Sequence, residues 1–130
     1  MSTRAIVAVR LSKDKYKSIY VHFDGYKEGL GKILLCHYTC PKKIQKMINL
    51  GDASYIRSEL GKKHNFDNPK EGYSLFYGRD RGEHNIAPRT VKGIDNLVEL
   101  AFDRTVDYLY MYNGKWNYSH CTNFHALEKV

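Results

Sequence analysis

Long hydrophobic runs are missing from this sequence, and cysteine, proline and tryptophan are scarce, with three, three and one residues. No apolar stretch approaches the ~20 residues that a membrane-spanning helix needs, and the N-terminus lacks the apolar segment of a signal peptide. Cys36, Cys40 and Cys121 are an odd number at spacings unlike those of a disulfide scaffold. These absences exclude a membrane protein and a disulfide-rich secreted domain, and they favour a reducing, intracellular environment.

Complete catalytic and nucleotide-binding motifs are also missing. Residues 25–32 end in Gly-Lys, but a phosphate loop would need glycine in place of Tyr26 and a hydroxyl residue in place of Ile33. No GxGxxG sequence follows a predicted strand, and no two acidic residues have the spacing of a metal clamp. We therefore expect a protein that is not an enzyme and that needs no cofactor.

A metal site has only loose support in the sequence. Cysteine and histidine residues that could supply nitrogen and sulfur ligands occur in two groups, namely Cys36, His37 and Cys40, and His120, Cys121 and His125. No CxxC pair occurs, and the spacings do not match those of known zinc sites. We expect no metal.

Positive charge and tyrosine are the two excesses of the composition. The formal net charge is +7, the pI is near 9.3, and there are eleven tyrosines. Such a balance favours polyanionic partners, among them nucleotides, nucleic acid and acidic proteins. The basic residues are scattered along the chain, so a polyanion site and a merely solvated basic surface both remain open.

The hydrophobic pattern predicts one α+β domain spanning residues 1–130, in which an antiparallel sheet with N-terminal and C-terminal hairpins packs against about three helices. Residues 5–11 and 18–23 form the first hairpin, with Ile19, Val21 and Phe23 on one face and Tyr20, His22 and Asp24 on the other. The three helices start after a glycine turn near residue 30, at Pro41 after a cap at residue 39 or 40, and near residue 90. Residues 55–60 suggest a helical turn, residues 73–77 a short strand, and residues 78–88 a loop too charged to be core.

Asn113-Gly114 predicts the second hairpin, because this dipeptide favours a two-residue type I′ turn. That turn pairs Met111 with Trp116 and places Trp116 on the core side with Leu109 and Met111. Three tyrosines then share the opposite face: Tyr108, Tyr110 and Tyr112. Such a stripe could stack nucleic-acid bases, or it could be a second face packed under a helix.

Residues 20–38 are the best candidate for a binding site, because a strand pattern becomes a glycine-rich turn and then a helix pattern. Glycines let a backbone approach a ligand closely, and a strand-to-helix turn can aim N–H groups at an anion. Arginine from the later polar loop would supply the fork that phosphates favour. The predicted ligand-binding residues are His22, Asp24, Gly25, Tyr26, Gly29, Gly31, Lys32, Arg79 and Arg81. The alternative is a tight structural turn whose groups only satisfy one another.

Several segments resemble small accessory proteins of tailed bacteriophages and prophages. They are residues 20–26 (YVHFDGY), 29–38 (GLGKILLCHY), 48–52 (INLGD), 66–69 (FDNP), 77–83 (YGRDRGE) and 108–116 (YLYMYNGKW). The resemblance covers most of the chain, with Phe23 where tryptophan is common and Lys27 where proline is common. It implies no catalytic residues. It implies an accessory phage protein that acts on host functions in the bacterial cytoplasm.

Charge, tyrosines and resemblance together predict an anti-defence binding protein that sequesters a nucleotide-derived host immune signal. An inhibitor of a host defence nuclease and a nucleic-acid-binding protein remain alternatives. No membrane partner is expected. We also expect that the protein can form a homo-oligomer, since the aromatic C-terminal hairpin offers an edge or a face to a second copy.

Overall fold

The computed structural model describes residues 2–130 and shows one mixed sheet of eight strands with four α-helices. The strands are β1 (Ala5–Ser12), β2 (Lys15–Val21), β3 (Ala53–Tyr55), β4 (Leu75–Phe76), β5 (Arg89–Lys92), β6 (Tyr108–Tyr112), β7 (Trp116–His120) and β8 (Glu128–Lys129). The helices are α1 (Lys32–His37), α2 (Pro41–Asn49), α3 (Tyr77–Arg81) and α4 (Ile94–Asp103). A π-helical turn, Lys27–Gly31, leads directly into α1. The predicted α+β class is confirmed.

The sheet joins the two predicted hairpins side by side. Its order is β4-β3-β2-β1-β6-β7-β8, and β5 pairs with the first half of β2. Each hairpin is antiparallel, as predicted, but β1 runs parallel to β6 and β2 runs parallel to β3. The sheet is therefore mixed, with parallel pairing added to the antiparallel pairing that was predicted. Turn residues determine pairing within a hairpin, whereas the pairing between hairpins depends on packing over the whole domain.

Strand β1 is buried on both faces, and each face builds its own core. Val7 and Ile19 pack with Leu34, Ile44 and Met47 beneath α1 and α2. On the other face, Ile6 and Ala8 pack with residues of α4 and β6: Leu97, Val98, Ala101, Leu109 and Met111. The central strand thus holds one layer of helices on each side of the sheet. None of the helices in residues 2–130 combines the length and apolar character needed to cross a membrane.

Helix α2 has the boundaries that the sequence predicts. It begins after Cys40 with Pro41 in its first turn, and it buries Ile44, Met47 and Ile48. It ends just before Gly51, whose φ of +84° favours glycine. The stripe at i, i+3 and i+4 therefore determines this helix.

Three predicted elements differ from the structure. Residues 53–55 form strand β3 where a helical turn was expected to begin at residue 55, and Glu59 bridges Tyr73. Residues 77–81, predicted to be strand and polar loop, form α3 and bury Asp80. The third predicted helix starts at Ile94, because residues 89–92 pair with β2 and Gly93 has a φ of +84°.

The C-terminal hairpin exists, but its predicted register was wrong by one residue. Tyr112 pairs with Trp116, so the loop has three residues, and only Gly114 in it has a positive φ, of +104°. Trp116 consequently shares a face with the tyrosines, and its indole N–H donates to the Tyr38 carbonyl at 2.8 Å. Its burial to 4% exposure was predicted, whereas its predicted neighbours, Leu109 and Met111, lie in the opposite core.

Candidate functional site

The strand-to-helix turn is held against the sheet by backbone hydrogen bonds. Asp24, with a φ of +60°, ends the extended segment, and its carbonyl accepts the N–H of Leu30 at 2.9 Å. Gly25 donates its N–H to the carbonyl of Thr3, and its own carbonyl accepts the hydroxyl of the buried Tyr110 at 2.7 Å. These bonds therefore fix the turn at the edge of the hydrophobic core.

The glycines of this turn make room for protein atoms. A Cβ at Gly25 would lie 2.8 Å from the Thr3 carbonyl oxygen and 2.9 Å from the Ala5 Cβ. A Cβ at Gly31 would lie 3.2 Å from the Tyr110 ring, and one at Gly29 would lie 2.7 Å from the Asp24 carbonyl oxygen. The space beside each glycine is therefore occupied by atoms of the sheet or of the turn itself, and it is not a space for a ligand.

The side chains predicted around the turn have separate environments. Asp24 is paired with Arg57 at 3.0 Å, and the Arg57 guanidinium lies 4.0 Å from the centre of the Tyr55 ring. Tyr26 and Lys32 are exposed. His22 is half-buried and faces away from the core of α1 and α2, as the alternation predicts. Phe23 is 42% exposed because β2 ends at Val21.

Arg79 is engaged inside the protein. Its guanidinium donates to the carbonyl oxygens of Leu60, Gly61 and Ser74, at distances of 2.9 to 3.1 Å. It also donates hydrogen bonds to both carboxylate oxygens of Asp80, at 2.9 and 3.1 Å. These bonds hold the loop before β4 against α3.

Arg81 lies in a cleft of about 600 Å³ whose lining includes Lys63, His64 and Phe66. It pairs with Glu83 at 3.4 Å, and its guanidinium lies 4.9 Å from the centre of the Phe66 ring. Within residues 2–130, no hydrogen bond or ion pair joins Arg79 or Arg81 to His22, Asp24, Tyr26 or Lys32.

Three other arginines gather beside Tyr20 and His22, on the sheet face that these two side chains share. Arg4 precedes β1, Arg89 begins β5, and Arg104 follows the last residue of α4. We call this surface, made by Arg4, Tyr20, His22, Arg89 and Arg104, the arginine face. Its residues come from four separate parts of the chain.

Asp52 contacts three residues of the arginine face: Tyr20, Arg89 and Arg104. Its carboxylate is buried and accepts the backbone N–H of Tyr20 at 2.9 Å. The other carboxylate oxygen lies 3.5 Å from Arg89 and 3.6 Å from Arg104. Because both ion pairs are long and share one carboxylate, the two guanidinium groups keep donors for a further anion.

Tyr20 lies between the arginines. The Arg104 guanidinium is 4.6 Å from the centre of its ring, and its hydroxyl is 2.7 Å from His22 Nδ1. Burial raises the pKa of the Tyr20 phenol, and the positive charges of Arg4 and Arg104 oppose that rise. Arg4 also reaches the Thr105 hydroxyl at 3.4 Å, and its backbone N–H donates to Asp107.

The conformation of Thr105 adds local strain beside the arginine face. Its φ of +53° is unusual for a β-branched residue. Backbone strain of this kind clusters at functional sites, where the surrounding structure enforces it. Thr105 directly follows Arg104, and its hydroxyl contacts Arg4.

The arginine face could not be predicted from the sequence. Arg4, Arg89 and Arg104 stand in no motif, and they meet because β1 and β5 both pair with β2 while α4 also contacts β2. The alternation of residues 18–23 did predict the face on which Tyr20 and His22 lie.

The residues considered for a metal site and the tyrosine stripe have different environments in the structure. No group of three histidine, cysteine or acidic side chains in the described part of the chain is arranged to hold a metal ion. Tyr110 is fully buried, and Tyr108 stacks on it at 6.1 Å. Tyr108 and Tyr110 therefore pack under the turn and α1. This agrees with the interpretation of the stripe as a second face packed under a helix.

Comparison with protein-family models, with curated protein sequences and with solved structures finds no match to this chain.

Proposed function

We propose that this protein is a bacteriophage accessory protein that sequesters a nucleotide-derived immune signal in the cytoplasm of the host bacterium. The observation that carries the proposal is the arginine face, on which three guanidinium groups surround a tyrosine and one buried carboxylate. The resemblance to phage accessory proteins supplies the biological context.

Phosphate is the ligand group that this arrangement suits best. A guanidinium donates two parallel N–H bonds to two oxygens of a phosphate, and its charge persists at every physiological pH. Asp52 holds Arg89 and Arg104 in place without neutralising both of them. Side chains fixed in this way lose less entropy when a ligand binds.

Aromatic and imidazole groups at the rim suit the remainder of a nucleotide. His22 offers a ring nitrogen, and its ring packs edge-on against the exposed Phe23 at 4.5 Å. Rings of this kind stack on nucleobases. Asp24 and Arg57, which form an ion pair beyond the ends of β2 and β3, offer an acceptor and donors for ribose or phosphate oxygens.

Isothermal titration calorimetry with cyclic oligonucleotides and ADP-ribose derivatives tests the proposal. We expect at least one ligand of these classes to bind, and we expect Arg104→Gln and Arg89→Gln each to weaken it by roughly tenfold or more, because each removes charge-assisted hydrogen bonds. Lys62→Gln, which removes one exposed charge from the loop before β4, should leave binding unchanged. Equal binding by all four folded proteins would remove the arginine face as the site.

A second candidate is an inhibitor that covers an anion-binding site of a host defence nuclease. Phe23 and Tyr26 favour it, because both are more than 40% exposed near the turn and aromatic side chains are enriched in protein interfaces. Native mass spectrometry of protein purified from defence-activated cells separates the two candidates. A bound mass of nucleotide size supports sequestration, and a stoichiometric host nuclease supports inhibition.

A further inference from the structure

Most of the net positive charge lies in two short segments of the chain. Residues 10–17 and 41–50 contain one acid, Asp14, and seven bases: Arg10, Lys13, Lys15, Lys17, Lys42, Lys43 and Lys46. These two short segments therefore account for six of the seven net charges of the chain. More than twenty residues separate the two segments in the sequence, so no single run of basic residues indicates this concentration of charge.

Packing brings the two segments together. Ile44 of α2 lies in the same core as Val9 of β1, and Lys17 Nζ donates to the Asn49 side chain at 2.8 Å. A cleft of about 450 Å³ opens between them, lined by Arg10 and Lys13 on one side and by Pro41 and Gln45 on the other.

The cleft continues along α2. A second hollow shares Pro41 and Gln45 with it and passes Lys42 and Lys46 to reach Asn49. We call the joined hollows the basic groove. The hairpin loop with Tyr112 and Asn113 closes one end of it.

The seven bases of the two segments carry charge that a ligand could use, and four of them line the groove: Arg10, Lys13, Lys42 and Lys46. In the described residues none of the seven takes part in an ion pair, and Arg10, Lys13, Lys15, Lys42 and Lys46 are exposed. Lys43 is the most engaged, since its Nζ donates to the carbonyls of His37 and Ser58. Exposed lysines that lie close together repel one another and raise the local positive electrostatic potential. A bound polyanion would lower that potential.

We propose that the basic groove binds single-stranded nucleic acid. A row of lysines along a groove tracks a phosphate backbone, and the cleft volume is of the size that takes one small ligand unit such as a nucleotide. Tyr112 and Pro41 give the lining flat apolar surface for a base, while Gln45 and Asn113 add amide groups. This site is separate from the arginine face, and it stands whether or not that face binds a nucleotide.

Fluorescence anisotropy with a labelled, mixed-sequence oligonucleotide of about 16 nucleotides tests the proposal across salt concentrations from about 50 to 200 mM. We expect the triple variant Lys13→Gln, Lys42→Gln, Lys46→Gln to bind at least tenfold more weakly at the lowest salt. The slope of log affinity against log salt should become shallower by about 0.7 for each phosphate that the variant no longer neutralises, or about 2 in all.

The matched control is the triple variant Lys62→Gln, Lys63→Gln, Lys70→Gln, which removes the same charge from the loop before β4. It should keep the parent's slope. Equal losses in the two triple variants would show that binding follows net charge alone and would overturn the proposal. Absence of binding by the parent at the lowest salt would overturn it too, as would equal affinity for polyglutamate or for a DNA duplex.

Discussion

Tyr110 shows how a single side chain joins the turn to the sheet. Its ring lies against Gly31, its hydroxyl donates to the Gly25 carbonyl, and it is fully buried. Burial raises the pKa of this phenol, so the hydroxyl is protonated and acts as a donor at neutral pH. The interaction spans 85 residues of sequence and involves no charge.

We predict that Tyr110→Phe lowers the free energy of unfolding by about 1–3 kcal/mol, because it leaves the buried Gly25 carbonyl without a donor. Urea unfolding followed by circular dichroism measures the change. Tyr112→Phe removes the same atom from a half-buried ring on the same strand, and we expect it to cost less than half as much. Equal costs would show that the hydroxyl of Tyr110 has no special role.

Cys40 differs from the other two cysteines in its backbone surroundings. All three thiols are exposed, but Cys40 precedes α2. Hydrogen bonds from the backbone N–H groups of Lys43 and Lys42 lower the pKa of its thiol, and the two lysine charges add to this effect. The thiolate is the reactive form, so a lower pKa gives a larger reactive fraction at neutral pH.

We therefore predict that iodoacetamide alkylates Cys40 before Cys36 and Cys121 at about pH 7, and that this lead narrows as the pH rises towards 9. Peptide mass spectrometry at timed intervals gives the three rates. Alkylation of Cys121 ahead of Cys40 at neutral pH would contradict the prediction.

At the scale of elements, α3 depends on a buried carboxylate that the sequence places in a loop. Asp80 accepts the N–H groups of Phe76 and His64, at 2.9 and 3.1 Å, as well as the two bonds from Arg79. Burial alone would raise the pKa of Asp80, but the bonds from Arg79, Phe76 and His64 outweigh it and lower the pKa below the ordinary value of 3.8.

A lowered pKa in the folded state means that the ionised carboxylate stabilises the fold above pH 3.8, and that this stability is lost as the pH falls through the folded pKa. We predict that Asp80→Asn lowers the free energy of unfolding by about 3 kcal/mol at neutral pH, because it leaves Arg79 without its partner. The gap between parent and variant should shrink below about pH 4.

Urea unfolding at several pH values measures this gap. Asp67→Asn is the control, since Asp67 is an exposed acid in the same cleft and we expect its gap to stay near zero. A gap for Asp80→Asn that stays constant down to about pH 3 would contradict the ionic role of Asp80. The contacts of Arg79 also mean that Arg79→Ala should lower the melting temperature, which the sequence-based view of Arg79 as a ligand residue does not expect.

Elements that depend on the pattern of their own residues were predictable. Elements that depend on pairing with residues far away in the sequence were not. The apolar stripe at Ile44, Met47 and Ile48 sufficed to predict α2. Strand β5 was missed because its residues Arg89–Lys92 gain their pairing from β2, more than seventy residues earlier. The register of the C-terminal hairpin was wrong because Asn113-Gly114 permits several loop lengths, and the burial of Trp116 beside Tyr38 selects among them.

At the scale of the molecule, two cores share one central sheet, and β1 contributes to both. We predict that the chain, as a single domain, unfolds in one cooperative transition, because neither core can lose β1 and persist. Trp116 lies in one core only, so tryptophan fluorescence and far-UV circular dichroism monitor the transition from different parts. Midpoints in urea that differ between the two probes would contradict the prediction.

The distribution of charge is also a property of the whole molecule. The basic groove and the arginine face lie on opposite faces of the sheet: Lys17 donates to Asn49 of α2 on one face, and Tyr20 lies beside Arg104, which follows α4, on the other. A homo-oligomer stays a prediction, and size-exclusion chromatography with light scattering measures it.

The sequence by itself determined the elements that arise from local pattern. Alternation predicted the N-terminal hairpin, Asn113-Gly114 predicted the C-terminal hairpin, and the helical stripe predicted α2. The opposite faces of residues 18–23 predicted where His22 lies. Only the tertiary structure decided which charged groups meet. Arg57 pairs with Asp24, Arg79 turns inward to Asp80, and Arg4, Arg89 and Arg104 gather at Tyr20. A long charged side chain costs little to leave in water, so its own sequence neighbours do not fix its partner. The partner is fixed by the packing of apolar residues elsewhere, which brings distant backbone segments to the same place.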